Sequence, residues 1–150
     1  MSKSIVLGLL GLWLGVAACQ SHSDELLDVH DTLISRIAQD PAYLNMLQAQ
    51  LVVQEHYHFQ LEAVSAFMQR AETTDEICQL VLDPATETPG IRKFQTDLCD
   101  WVSAARLLRQ KYPAYQNLTA AEHGQLMNAC RDYTGFDYVN TSMQQALTNN

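Results

Sequence analysis

Between Pro41 and Ala71 the chain runs for thirty-one residues without a glycine or an internal proline, and no other stretch restricts the fold so strongly. Asp40 stands where a side chain can accept the free amide hydrogens of a first helical turn, and Pro41 occupies the position at which a missing N–H does no harm. Advancing about 100° per residue brings Met46, Val53, Tyr57, Leu61, Val64, Phe67 and Met68 onto one face. The run therefore predicts one long helix, the central scaffold of the fold. Leu44, Leu47, Leu51 and Val52 lie off that face, so the preceding helix or a neighbour from the C-terminal half is expected to cover them.

The remaining helices are read from caps and apolar spacing. Ser23 caps a first helix that places Leu26, His30, Leu33 and Ile37 on one stripe and ends near Gln39. Thr73 and Glu76 form a capping box for a short helix over 74–82, with Ile77, Cys78, Val81 and Leu82 inward and Asp83-Pro84 as its stop. Ile91, Phe94, Leu98, Trp101, Ala105, Leu108 and Tyr112 alternate spacings of three and four, the pattern of a bundle seam, before Pro113. A second capping box, Thr119 with Glu122, opens a helix through about Arg131 that turns Leu126, Met127 and Cys130 inward. A last helix over 138–147 has Val139, Met143 and Ala146 as its apolar positions. No stretch keeps the alternation of a strand, so the expected fold is all-α: a compact bundle of five to six helices with a long central helix.

The N-terminus belongs to a different kind of segment. Lys3, the apolar run from Ile5 to Val16 and the small residues Ala17-Ala18 have the layout of a secretory signal, too short for a comfortable membrane span. Leu14-Gly15-Val16-Ala17-Ala18-Cys19 resembles the lipobox of bacterial lipoprotein precursors. That resemblance implies removal of 1–18, lipidation of Cys19 and attachment of the mature chain to a membrane through the lipid. Gln20 after the cysteine implies the outer membrane, with the protein facing the periplasm of a Gram-negative host. The expected organisation is then a signal peptide over 1–18, a tether over 19–23 and a helical domain over 24–150. The alternative is an ordinary signal cut after Ala18, leaving Cys19 as a plain thiol.

Charge narrows the partners. Lys3 lies in the expected leader, so eight basic residues remain against seventeen acidic ones, a net charge of -9. A body this acidic is a poor binder of nucleic acid or anionic headgroups, and no nucleic-acid partner is expected. Twelve acidic and two basic residues fall between Asp24 and Glu87, against five and six from Thr88 onward, so the first half offers attraction to a basic partner.

Cys78, Cys99 and Cys130 remain after Cys19, with no C-x-x-C spacing for a redox motif or zinc ribbon. A hairpin turning near Glu87 would put Cys78 and Cys99 at similar height, which makes them the first choice for a disulfide and Cys99 with Cys130 the second.

Glu55-x-x-His58 has the spacing used by carboxylate-bridged metal bundles, and Glu62 adds a partner four residues on. A di-metal centre needs a second such motif, which is absent, and these side chains fall with Gln48, Ser65 and Gln69 opposite the apolar face. A solvated stripe is the expected reading, with no metal and no cofactor. His56 points away from it, because residues two apart do not share a helix face. No glycine loop for phosphate and no Gly-x-Ser-x-Gly is present. Tyr112, Tyr115, Tyr133, Phe136 and Tyr138 crowd the C-terminal loops, either plugging the bundle's end or offering a partner patch. The function expected is a non-enzymatic envelope accessory that binds another protein as assembly factor, chaperone or inhibitor. The alternative is a small ligand- or metal-binding protein using Glu55, His58 and Glu62 with His30.

Overall fold

The computed structural model describes residues 30–59 and 61–148, and of His58, Phe59 and Leu61 the backbone alone. The expected signal peptide, the Cys19 anchor and the tether lie outside these residues. The described chain is all-α and contains no strand. Helix α1 occupies the described residues 30–38; α2 is Pro41–Phe59, α3 Leu61–Met68, α4 Thr74–Gln79, α5 Pro89–Lys111, α6 Ala120–Thr134 and α7 Tyr138–Thr148, with a 3-10 turn at Pro113–Asn117 between α5 and α6. The single helix expected over 41–71 is present as α2 and α3 on either side of position 60, and it stops at Met68 rather than Ala71.

Local chemistry accounts for the boundaries. Asp40 Oδ1 accepts the Ala42 amide at 3.0 Å, turning the chain between α1 and α2. Thr73 and Thr119 each complete a reciprocal capping box with Glu76 and Glu122. Thr88 caps α5, whose first residue is Pro89. Gly135, at φ 75°, closes α6 in the left-handed conformation and returns its N–H to the Arg131 carbonyl at 2.7 Å.

Helix α4 is shorter than expected. It ends at Gln79, and Gln95 on α5 donates its amide to the carbonyls of Ile77 at 2.7 Å and Leu80 at 2.9 Å, satisfying acceptors that a longer helix would have used itself. The chain leaves extended at Leu80. Leu80 and Leu82 consequently pack inward, while Val81, expected to face the core, is 90% exposed.

Two clusters make the core. The first gathers Ile34 and Ile37 of α1, Tyr43 and Leu47 of α2, Leu108 of α5 and Leu126 and Cys130 of α6. Leu47 and the half-buried Leu44 are thus covered by α1 and the C-terminal helices, as their off-face positions required, and Leu51 is buried too. Val52, expected to be covered, is 39% exposed, and Tyr57, expected on the core face, is 45% exposed. The second joins Val64 and Phe67 of α3, Ile77 of α4 and Ile91, Phe94 and Leu98 of α5. Trp101 packs against both clusters, so α5 is the element they share. Its periodic seam explains this, since Ile91 to Leu98 meets one cluster and Leu108 the other. Cys78 and Cys99 lie at disulfide distance, with Cα atoms 5.5 Å apart, and clip α4 to α5. Cys130 is a buried free thiol, and burial pushes its pKa up.

Candidate functional site

Of the residues marked by the sequence for metal chemistry, the described side chains do not converge. Glu55 and Glu62 are exposed, and the His58 side chain lies outside the description. His30 stands elsewhere, with Nε2 2.8 Å from Glu122 Oε1 at the start of α6. The Thr119 backbone amide and side chain, with His30 beside them, hold the Glu122 carboxyl below its ordinary pKa. No group of three His, Cys, Asp or Glu side chains able to hold a metal ion occurs among the described residues.

His56, set aside because it shares no face with His58, turns toward α5. Its Nε2 lies 2.7 Å from Asp97 Oδ2 on α5, and the same oxygen accepts from Lys93 Nζ at 2.9 Å. The imidazole sits edge-on to Phe94, with centroids 6.4 Å apart. This pairing ties α2 to α5 beside the second core. Only the Lys93–Asp97 spacing of four was visible in the sequence, because contact with His56 depends on how α2 and α5 pack.

Charge is likewise redistributed by the fold. Arg106 meets Asp75 at 2.6 Å, Lys111 meets Asp40 at 2.5 Å and Arg70 pairs with Glu87. Arg106 and Lys111, from the C-terminal half, therefore neutralise part of the acidic half, while Arg70 and Glu87 pair within it. Asp31, Glu55, Glu62, Glu72 and Asp83 remain exposed and make no ion pair with another described residue.

Four of the five crowded aromatics plug the bundle. Tyr112, Tyr115, Phe136 and Tyr138 pack against the first core, while Tyr133 is 63% exposed. Tyr115 stands edge-on to Tyr43 and to His123. Burial raises the pKa of Tyr43, Tyr115 and Tyr138, so all three stay neutral phenols through the physiological range.

Helix α7 departs most from expectation. Tyr138 and Ser142 face α2, where Gln54 donates to the Tyr138 hydroxyl at 2.9 Å and accepts from Ser142 at 3.3 Å. Polar contacts thus dock the helix, and its apolar residues turn away: Val139 is 52% exposed, Met143 60% and Leu147 75%. They recur every four residues, one continuous ridge of about two turns. Val139 and Met143 face Met127 of α6 across a groove of about 270 Å³. Asn128, Arg131, Asp137 and Asn140 form its polar rim. The sequence carried the signal of an apolar stripe but not its direction.

No helix among the described residues is long and apolar enough to cross a membrane. Comparison with protein-family models, with curated proteins and with solved structures found no match to this chain.

Proposed function

We propose that this protein is a lipid-anchored accessory of the bacterial envelope that binds another protein through the groove between α6 and α7 and performs no chemistry of its own. The observation that carries the reading is the outward ridge of Val139, Met143 and Leu147 beside Met127. An apolar ridge with a polar rim is the surface on which a partner helix lays its own apolar face. Methionine on both walls suits such a surface, because its unbranched thioether adjusts to the shape of the partner. The Leu14–Cys19 resemblance supplies the location: an acylated Cys19 at the outer membrane holds the domain facing the periplasm. The exposed acids favour a partner with basic flanks.

Photo-crosslinking in living cells tests the reading. A photoreactive residue at Met143 should give a discrete protein adduct, and one at Leu107, an apolar position 63% exposed on α5, should not. Equal labelling at the two positions, or none at Met143, overturns it. Cys19→Ser should release the protein from membranes, and unchanged membrane association removes the anchor from the proposal.

A further inference from the structure

A second concavity lies on another side of the molecule. It has a volume of about 450 Å³, within the range of small-molecule sites, and is walled by α2, α3, the first residue of α4, α5 and α7. Its apolar lining is Val53, Tyr57, Met68, Phe94, Leu98 and Trp101. Tyr57 and Trp101 bring aromatic surface to the cleft, with the buried Phe94 and Leu98 at its floor. Its remaining lining residues are Gln54, Thr74 and Ser142, none of which carries a charge. In a chain with a net charge of -8 and many exposed acids, an uncharged cleft selects by exclusion: an ion entering it would lose water and gain no counter-charge.

Trp101 adds an independent observation. It bridges the two cores, lines this cleft, and holds its indole Nε1 buried with no hydrogen-bond partner among the described residues. A buried donor without an acceptor is uncommon, because its desolvation is uncompensated. At the same cleft Ser142 donates to Gln54, so these two groups are already engaged. Trp101 is therefore the group at the cleft that gains most from an acceptor brought in from outside.

We propose that this cleft is a binding site for a neutral, largely apolar small molecule that carries a carbonyl-type acceptor, seated against Tyr57 and Trp101 over the buried Phe94, with its acceptor on the Trp101 N–H. The site is separate from the α6–α7 groove and does not depend on it. Helix α7 contributes to both, with Ser142 facing the cleft and Met143 the groove. Occupancy would thus brace the helix that presents the partner surface.

The probe is 6-propionyl-2-dimethylaminonaphthalene, a neutral aromatic ketone whose emission shifts to the blue in apolar surroundings, titrated into the full-length chain. The expected result is a saturable blue shift at one probe per chain. Trp101→Phe keeps the aromatic wall but removes the N–H and should weaken binding about five- to tenfold. Thr74→Trp fills the cleft from an exposed position, leaving the Thr73 cap intact, and Ser142→Phe fills it from α7; each should abolish the saturable component. Met143→Glu in the groove should leave it unchanged. Far-UV circular dichroism confirms that each variant is folded, and a variant that fails is replaced by the filling variant from the other wall. Absence of saturation, undiminished binding in both filling variants, or loss in Met143→Glu alone overturns the proposal.

Discussion

Replacing Asp40 by asparagine isolates the electrostatics of the corner that joins α1 to α2. The Asp40 side chain is only 7% exposed. Its Oδ2 lies 2.5 Å from Lys111 Nζ and accepts from the Tyr112 hydroxyl at 2.7 Å, while Oδ1 accepts from the Ala42 amide. Hydrogen bonds from Lys111, then Tyr112, then the Ala42 amide hold its pKa at about 2, below the ordinary 3.8. A shift of that size corresponds to about 2.5 kcal/mol at 1.36 kcal/mol per unit. Lys111 is 57% exposed, so solvent weakens its share, and the expected loss on Asp40→Asn at neutral pH is roughly 1–2 kcal/mol. Asparagine keeps an acceptor for the Ala42 amide, so this loss excludes the cap; Asp40→Ala removes the cap too and should lose about 1 kcal/mol more.

The pH dependence supplies the sharper check. The folded pKa lies below the unfolded one, so the contribution is complete above about pH 4 and disappears as pH falls through about 2. Urea unfolding followed by far-UV circular dichroism at pH 7, 4, 3 and 2.5 should show the gap between wild type and Asp40→Asn closing along that series. Lys111→Met should be milder than Asp40→Asn at pH 7. A gap that stays constant with pH, or a lysine variant as damaging as the aspartate variant, would refute the assignment to a charged, hydrogen-bonded corner.

Further substitutions probe other parts of the argument. Cys78→Ser opens a cross-link that closes a separation of 21 residues and should cost about 3 kcal/mol, with reductant doing the same to wild type and nothing to the variant in denaturant titrations. Gly135→Ala should lose about 1 kcal/mol in thermal melts despite open space around the new methyl, because φ 75° strains any residue with a Cβ. Leu108→Ala, at a fully buried position, should lose about 2–5 kcal/mol, whereas Leu107→Ala, one residue away and 63% exposed, should lose under about 0.5 kcal/mol. Comparable losses for the two leucines would mean that the α5 seam is misplaced.

Features governed by neighbours along the chain were legible without coordinates. Thr73 with Glu76 and Thr119 with Glu122 announce two helix starts, because a capping box is completed within four residues. The α5 seam declared its inner face because three- and four-residue spacings allow no strand. The α4 end was misjudged, since the group that closes it, Gln95, comes from another helix. The direction of α7 was beyond periodicity for the same reason: the sequence offered Val139, Met143 and Ala146 as its apolar positions, but the Gln54 contacts with Tyr138 and Ser142 decide that Val139 and Met143 face outward with Leu147 while Ala146 is half-buried. The aromatic cluster separated similarly into four core plugs and one exposed Tyr133.

The sequence by itself determined the all-α class, the order of the helices and the capped beginnings of α2, α4 and α6, because these depend on backbone chemistry and on spacing along one chain; it read five to six helices where the described residues form seven, the run over 41–71 being divided in two. Tertiary structure alone decided which stripe is covered and which is open, which histidine finds a carboxylate, and where acids and bases cancel. Such outcomes depend on side chains from distant positions competing for the same space and the same hydrogen bonds. The two concavities follow from that competition: one lies beside the ridge that α7 turns outward, the other is walled by α2, α5 and α7 around an indole whose N–H no described residue engages.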